Sequence, residues 1–281
     1  MAHCVADIFR QAAQANISDP RRSGNVMAIE PGCDVIVVGD IHGNRGAMVK
    51  ILSRANLSAN ANCRIVFQEV IHGPADPTTK RDRSIELLMR LARLRISNPQ
   101  QVLLVLGNHD LAQATGNEIA KEGCGVCKAF TEAVQIEFKE AADEVLEAVN
   151  EFLLTIPLAA RCPNGVFISH SLPSPSRMQK ATPEILDRPY EQKDLVRGGA
   201  VYEWTWGRGQ THEQLQQLAE QLKVRYFILG HRHAEAGFEI ISPLGLTISS
   251  DTQRGHVVRF VSDEPLGPDN LGKALTPIAA L

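Results

Sequence analysis

Five short polar segments carry the residues in this 281-residue chain that could do chemistry. They are Gly39-Asp40-Ile41-His42-Gly43, Gln68-Glu69-Val70-Ile71-His72-Gly73, Gly107-Asn108-His109-Asp110, Ser169-His170-Ser171 and Gly230-His231-Arg232-His233. Each follows an apolar run. Asp40 and His42 stand two apart, as do His231 and His233, so in an extended segment each pair leaves the chain on one side. The glycines beside them let the backbone turn tightly and approach a bound group. The pooled donors are carboxylate, imidazole and one amide oxygen. That mixture suits Mn²⁺, Fe or Zn²⁺ better than the all-oxygen shells of Ca²⁺ and Mg²⁺. One histidine after a strand is usually a hydrogen-bonded structural residue; the weight lies in the repetition of the pattern along the chain.

The apolar runs that precede these segments read as strands. A β-branched run over 33–38 ends at Gly39, and a helical pattern follows over 47–55. The cycle repeats as a strand over 64–67 and a helix over 84–94, then as a strand over 102–106 that ends at Gly107. Strands alternating with helices at this spacing indicate βαβ units and a parallel sheet. Ligands of such sheets bind beyond the carboxyl ends of the strands. The middle differs: apolar residues at Phe130, Val134, Phe138, Val145, Val149, Phe152 and Leu153 recur at helical spacing, predicting one long amphipathic helix or two. Beyond it, strands are expected over 166–169, 226–229, 237–241, 246–249 and 257–261, with a Gln-rich helix over 211–222. The spacing divides the chain into an N-terminal extension (1–32), a main domain (33–262) with a helical insertion at about 111–160, and an irregular tail (263–281) broken by Pro265, Pro268 and Pro277.

Composition narrows the function. Hydrophobic residues make up 44% and charged residues 22%, enough apolar content for a large core. The net charge of −3 supplies no basic field for nucleic acid. No apolar run approaches the length of a membrane span, and no basic segment followed by an apolar one marks a signal peptide. With six cysteines and no secretory signal, reduced thiols and a cytoplasmic location are expected. The sequence leaves the oligomeric state open.

The five segments, in this order, resemble the signature of the calcineurin-like metallophosphoesterases, in which D-x-H, G-D, G-N-H-[DE], a lone His and G-H-x-H follow one another. The resemblance spans roughly residues 33–261. It is most specific at Gly39-Asp40-Ile41-His42-Gly43-Asn44 and Gly107-Asn108-His109-Asp110. Trp206-Gly207-Arg208-Gly209 and the closing strands are similar to the phosphoprotein phosphatase branch. The resemblance implies a four-layer α/β/β/α sandwich and two divalent metal ions, Mn²⁺ foremost. Asp40 and His42 would hold the first ion, Asn108, His170 and His231 the second, and Glu69 would stand in place of the bridging aspartate. His233 would complete the first ion's shell, although the protein-phosphatase branch usually lacks it. Attack by a metal-bridging hydroxide would be completed by His109 protonating the leaving oxygen. Arg208 is the foremost phosphate clamp, its guanidinium presenting a planar fork; Arg45 and Arg254 are weaker ones.

The second segment departs from the family's G-D-x-V-D-R-G-P. Glu69 is one methylene longer than aspartate. His72 stands where the family has the carboxylate that orients the catalytic histidine, and the neighbouring phosphate-binding arginine is missing. Either the site is active, with Asp110 or His72 orienting His109, or it is a non-catalytic phosphate-binding module. The basic run Thr79-Lys80-Arg81-Asp82-Arg83 is a solvated helix start or a partial substitute for the missing arginine. Cys124-Gly125-Val126-Cys127 reads as two helical-insertion cysteines sooner than as a redox pair. The expected function is hydrolysis of phosphomonoesters, phosphoserine and phosphothreonine among them. The alternatives are dinucleoside polyphosphates and small phosphorylated metabolites.

Overall fold

Strands whose consecutive side chains are all apolar need cover on both faces, and two packed sheets flanked by helices provide it. The computed structural model describes residues 2–121 and 124–281. In chain order the strands are β1 (Arg22–Ser23), β2 (Val26–Ala28), β3 (Asp34–Val38), β4 (Cys63–Gln68), β5 (Val102–Val105), β6 (Ala120–Lys121), β7 (Cys124–Gly125), β8 (Ala159–Arg161), β9 (Val166–Ser169), β10 (Tyr226–Leu229), β11 (Phe238–Ser242), β12 (Gly245–Ile248), β13 (His256–Val261) and β14 (Leu275–Pro277). One sheet runs β14-β13-β3-β4-β5 and the other β1-β2-β8-β9-β10-β12-β11, while β6 and β7 form a separate hairpin. β3, β4 and β5 are parallel to one another, as are β9, β10 and β12.

Alternation along the strands splits the core into layers. Val35 and Val37 of β3 pack between the sheets with Val66, Leu103, Ile168, Ile228 and Ile248. Ile36 and Val38, one position out of phase, turn to the helices with Phe67, Leu104, Phe167 and Phe227. The outer layers are built from α1 (Ala2–Ile17), α2 (Arg45–Ala55), α3 (Ser84–Ser97), α4 (Asn108–Thr115), α5 (Val126–Phe138) and α6 (Ala142–Leu154). Shorter helices α7 (Gln192–Leu195) and α8 (Ala200–Trp206) precede α9 (His212–Leu222), and α10 (Leu271–Ala274) lies near the end. The amphipathic middle is two helices, not one: Lys139 takes a left-handed φ of 49°, and a 3₁₀ turn (Lys139–Ala141) separates α5 from α6.

Two boundaries differ from the sequence expectation. The stretch read as an N-terminal extension is built into the domain: Ala6, Phe9 and Ala12 are fully buried, the Phe9 ring lies 5.8 Å from that of Phe152 on α6, and β2 pairs with β8. The proline-broken tail supplies α10 and β14, which pairs with β13 at the sheet edge. An edge position is where Pro277, lacking an N–H, costs no ladder bond.

The N-terminal segment is locked by a buried ion pair. Arg95 on α3 donates to Asp19 Oδ2 at 2.7 Å, to Asn16 Oδ1 at 2.9 Å and to the Ala15 carbonyl at 2.7 Å. Burial alone would raise the Asp19 carboxyl, but the hydrogen bonds from Arg21 and Arg95 outweigh it and hold it at about 2, below the ordinary 3.8. A carboxyl lowered in the folded state gives stability that is present above its unfolded pKa and lost as pH falls through the folded one, here between about pH 4 and pH 2. Asp19→Asn strands the buried Arg95 and is expected to lose about 3 kcal/mol in urea unfolding at pH 7. The deficit should shrink as pH falls toward 2. A variant within about 0.5 kcal/mol of the parent at pH 7, the scatter of ordinary surface changes, would contradict the pair's role.

Candidate metal centre

The carboxyl ends of the two parallel strand sets converge. Asp40 follows β3 and pairs in a parallel bridge with Ser249, just past β12 in the other sheet. The Gly39 N–H donates to Ser250 Oγ at 2.9 Å, and the Ser250 N–H to the Asp40 carbonyl at 3.1 Å. The loop after β3 also runs along the loop after β4: the Ile41 N–H donates to the Glu69 carbonyl and the Gly43 N–H to the Val70 carbonyl, both at 2.8 Å. Asn108 begins α4 after β5, His170 follows β9, and His231 follows β10. Thus each donor is carried by a strand end whose neighbours fix it.

Glu69 is at the centre, 2% exposed. Its Oε1 lies 3.3 Å from His42 Nε2 and 3.9 Å from His109 Nε2; its Oε2 lies 3.4 Å from His170 Nε2. The His109 N–H at the start of α4 donates to Oε2 at 2.8 Å. The extra methylene of Glu69 is accommodated by Gly107, where a Cβ would stand 2.8 Å from Glu69 Cβ and overlap its carboxylate. Asp40 Oδ1 lies 3.4 Å from His170 Nδ1 and accepts from the His231 N–H at 3.3 Å. Asn108 Oδ1 meets His170 Nε2 at 2.9 Å and His231 Nδ1 at 2.7 Å. His42 Nδ1 lies 3.0 Å from the Ile71 carbonyl. A carbonyl only accepts, so Nδ1 donates in that contact, and Nε2 faces Glu69.

These donors suit a divalent cation. The ligand atoms of Asp40, Glu69 and His170 fall within 4.8 Å of one another, as do those of His42, Glu69 and His109. Burial, then the positive fields of His231 and other neighbours, push His170 well below the ordinary imidazole value. Burial, then Arg208, lowers His231 to about 3. Neutral imidazoles facing buried carboxylates are the protonation state that metal binding requires. No helix among the described residues is long and apolar enough to cross a membrane.

The structure brings Asp40, His42, Glu69, His72, Asn108, His109, His170 and His231 together, and separates others from them. His233 is exposed and outside both clusters. His231 has a left-handed φ of 67°, so the segment is not extended and the expected same-side placement of His231 and His233 fails. Asp110 is not set against His109: its carboxylate accepts the Gly107 N–H at 3.0 Å and caps α4. Burial raises it to about 7. His72 instead reaches the catalytic candidate, with Nδ1 2.9 Å from His109 Nδ1. Arg45 is paired with Glu86. Arg208 is exposed yet close enough to depress both His170 and His231. Burial pushes the Cys127 thiol up to about 12, the opposite of a redox thiolate, while the Cys124 side chain lies outside the described residues. One polar residue escaped the sequence reading: Gln113, whose Oε1 lies 3.0 Å from His72 Nε2. The available signal was its spacing, one helical turn after His109 on α4.

A cleft of about 790 Å³ opens beside His42 and His72. Arg45, Lys80 and Arg81 line it with the α5 residues Val126, Ala129, Ala133 and Ile136.

Comparison with known proteins agrees with this geometry. No curated protein matches the chain's sequence. Among solved structures, a protein serine/threonine phosphatase from Saccharomyces cerevisiae superposes with a TM-score of 0.69 at 16% identity, over 93% of this chain and 83% of that one. A cold-active protein-tyrosine phosphatase from Shewanella sp. superposes with a TM-score of 0.61 at 13% identity, over 89% of this chain and 80% of that one. At such identity both establish the shared fold. The model of the calcineurin-like phosphoesterases matches residues 34–235. That span holds every donor of the centre, and the chain belongs to the calcineurin-like phosphoesterase family.

Proposed function

We propose that this phosphoesterase hydrolyses phosphomonoesters at a centre of two divalent ions, with His109 protonating the leaving oxygen. The observation that carries the reading is the two-sided Glu69 carboxylate, with Oε1 3.3 Å from His42 Nε2 and Oε2 3.4 Å from His170 Nε2. One oxygen faces each group of donors, as a bridge requires. Asp40 and His42 would hold one ion with Glu69, and Asn108, His170 and His231 the other, with Asp40 also lying 3.4 Å from His170 Nδ1. The mixed oxygen and nitrogen donors favour Mn²⁺, with Fe and Zn²⁺ compatible. Bound ions supply Lewis acidity toward phosphoryl oxygens and acidify water near neutral pH.

The chain's own residues do the rest. His109 faces the centre through Nε2, 3.9 Å from Glu69 Oε1, and from there delivers a proton to the departing oxygen. Arg208 presents its fork to the phosphoryl oxygens from the His231 side. Lys80 and Arg81 supply positive charge in the cleft where the family's arginine is missing. Phosphoserine and phosphothreonine fit this site better than a nucleotide. Among the described residues the cleft is lined by Arg45, Lys80 and Arg81, by Asp82, Glu132 and Asp251, and by aliphatic side chains, with no Phe, Tyr or Trp to stack on a base. The Saccharomyces cerevisiae neighbour, itself a protein serine/threonine phosphatase, supports this choice of substrate.

The purified chain is expected to hydrolyse p-nitrophenyl phosphate with added Mn²⁺, and Asp40→Asn or Asn108→Ala to abolish it. His109→Asn should lower kcat by about 10²–10⁴-fold while keeping its metal. An absence of both bound metal and turnover at any pH would overturn the enzyme reading. Metal analysis of Glu69 variants tests the bridge. Glu69→Asp should retain both ions and Glu69→Gln should lose at least one, so full loading of Glu69→Gln refutes it.

A further inference from the structure

A carboxylate beside a catalytic histidine can only accept its hydrogen bond, whereas an imidazole can donate or accept. His72 therefore serves His109 in a defined way only if something sets its own tautomer. His72 is 1% exposed, with the Phe130 ring edge-on at 5.8 Å and its backbone N–H donating to Ser84 Oγ at 3.0 Å. Its Nδ1 meets His109 Nδ1 at 2.9 Å and its Nε2 meets Gln113 Oε1 at 3.0 Å. Gln113, itself 6% exposed, points its amide nitrogen at Thr131 Oγ1 on α5, 3.4 Å away. With the amide nitrogen on that side, the amide oxygen faces His72.

The consequence follows from donor counting. An amide oxygen accepts and never donates, so His72 carries its proton on Nε2. The other tautomer would set a bare ring nitrogen against a bare oxygen in a buried site, a costly arrangement. With Nε2 protonated, neutral His72 presents a bare Nδ1, and His109 donates its Nδ1–H to it. The His109 ring is then held with Nε2 toward Glu69 and the cleft. We propose that Gln113 is a positioning residue: its amide oxygen locks His72 as the Nε2–H tautomer, and so lets an imidazole hold His109 as a carboxylate would. The inference rests on the phosphoesterase reading for its effect on rate, but not for the tautomer itself. The lock also joins the insertion helix α5 to the catalytic histidine through Thr131.

The test uses the full chain and two substitutions. Gln113→Glu keeps an acceptor at the same reach; Gln113→Met keeps the length and removes it. Histidine ¹⁵N NMR on the metal-free and Zn²⁺-loaded protein should show His72 protonated at Nε2 and bare at Nδ1. The pattern should persist in Gln113→Glu and be lost in Gln113→Met. In the Mn²⁺ enzyme, Gln113→Met should lose about tenfold or more on phenyl phosphate and much less on p-nitrophenyl phosphate. The better leaving group needs less help from the proton that His109 delivers. Metal content should stay at the parent level, and Gln113→Glu should restore the phenyl phosphate rate. A His72 protonated at Nδ1 in the parent protein overturns the proposal, as does an equal loss on both esters, which marks a merely structural role. A parent protein inactive on both esters defeats the phosphoesterase reading, and the parent NMR spectrum still decides the tautomer.

Discussion

Everything at this centre depends on a carboxylate held between two sheets. Glu69 follows a strand of one sheet, yet its Oε2 lies 3.4 Å from His170, which follows a strand of the other. Two sheets packed through Val35, Val37, Ile168 and Ile228 must therefore keep their relative height for the donors to meet. Close packing gives that precision, because a dense apolar interior has few alternative arrangements. The parallel bridge between Asp40 and Ser249 adds a backbone tie at the point where the sheets' ends touch. Burial then tunes the donors: it lowers His170 and His231, favouring the neutral imidazoles that a cation would need.

The two departures from the family pattern are compensated locally, by different means. A longer carboxylate at Glu69 needs space, and Gly107 leaves it by having no Cβ. An imidazole at His72 needs a defined proton, and Gln113 sets it by having no proton to give at Oε1. Both compensating residues belong to the turn and helix that carry Asn108 and His109. The start of α4 thus serves three ends at once: it donates its amide to Glu69, presents a metal donor, and aims the proton donor.

The strand-helix alternation and the order of the five segments were legible in the sequence, because buried strands leave continuous apolar runs and strand-end donors leave polar residues beside glycine. What escaped lies in backbone angles and through-space partners. The left-handed φ of His231 sends His233 to solvent, which a period-two reading of the segment cannot anticipate. Asp110 looked like a carboxylate for His109, but its position in the first turn of α4 made it a cap for Gly107. The role of the first 32 residues depended on whether Phe9 would meet Phe152, a contact across 143 positions that no local pattern encodes. Gln113 had a readable spacing to His109, but its importance arises only once His72 is placed against both.

The charge distribution follows the same logic. With a net charge of −3 the chain has no global attraction for a phosphorylated substrate. Several cations near the cleft are already engaged: Arg45 with Glu86, and Arg83 with Glu86 and Asp76. Lys80 and Arg81 in the cleft, and Arg208 beside His231, are the cations placed to meet an incoming anion. A field this local falls off within about 8–10 Å at physiological salt, so it selects at the mouth of the site and does little at a distance. Affinity for phosphate would then depend on ions held by Glu69, and specificity on the α5 wall, where Glu132 stands among aliphatic residues opposite the loop that carries Lys80 and Arg81. The lock at Gln113 joins these two parts, since the amide that meets His72 also contacts Thr131 on that same helix.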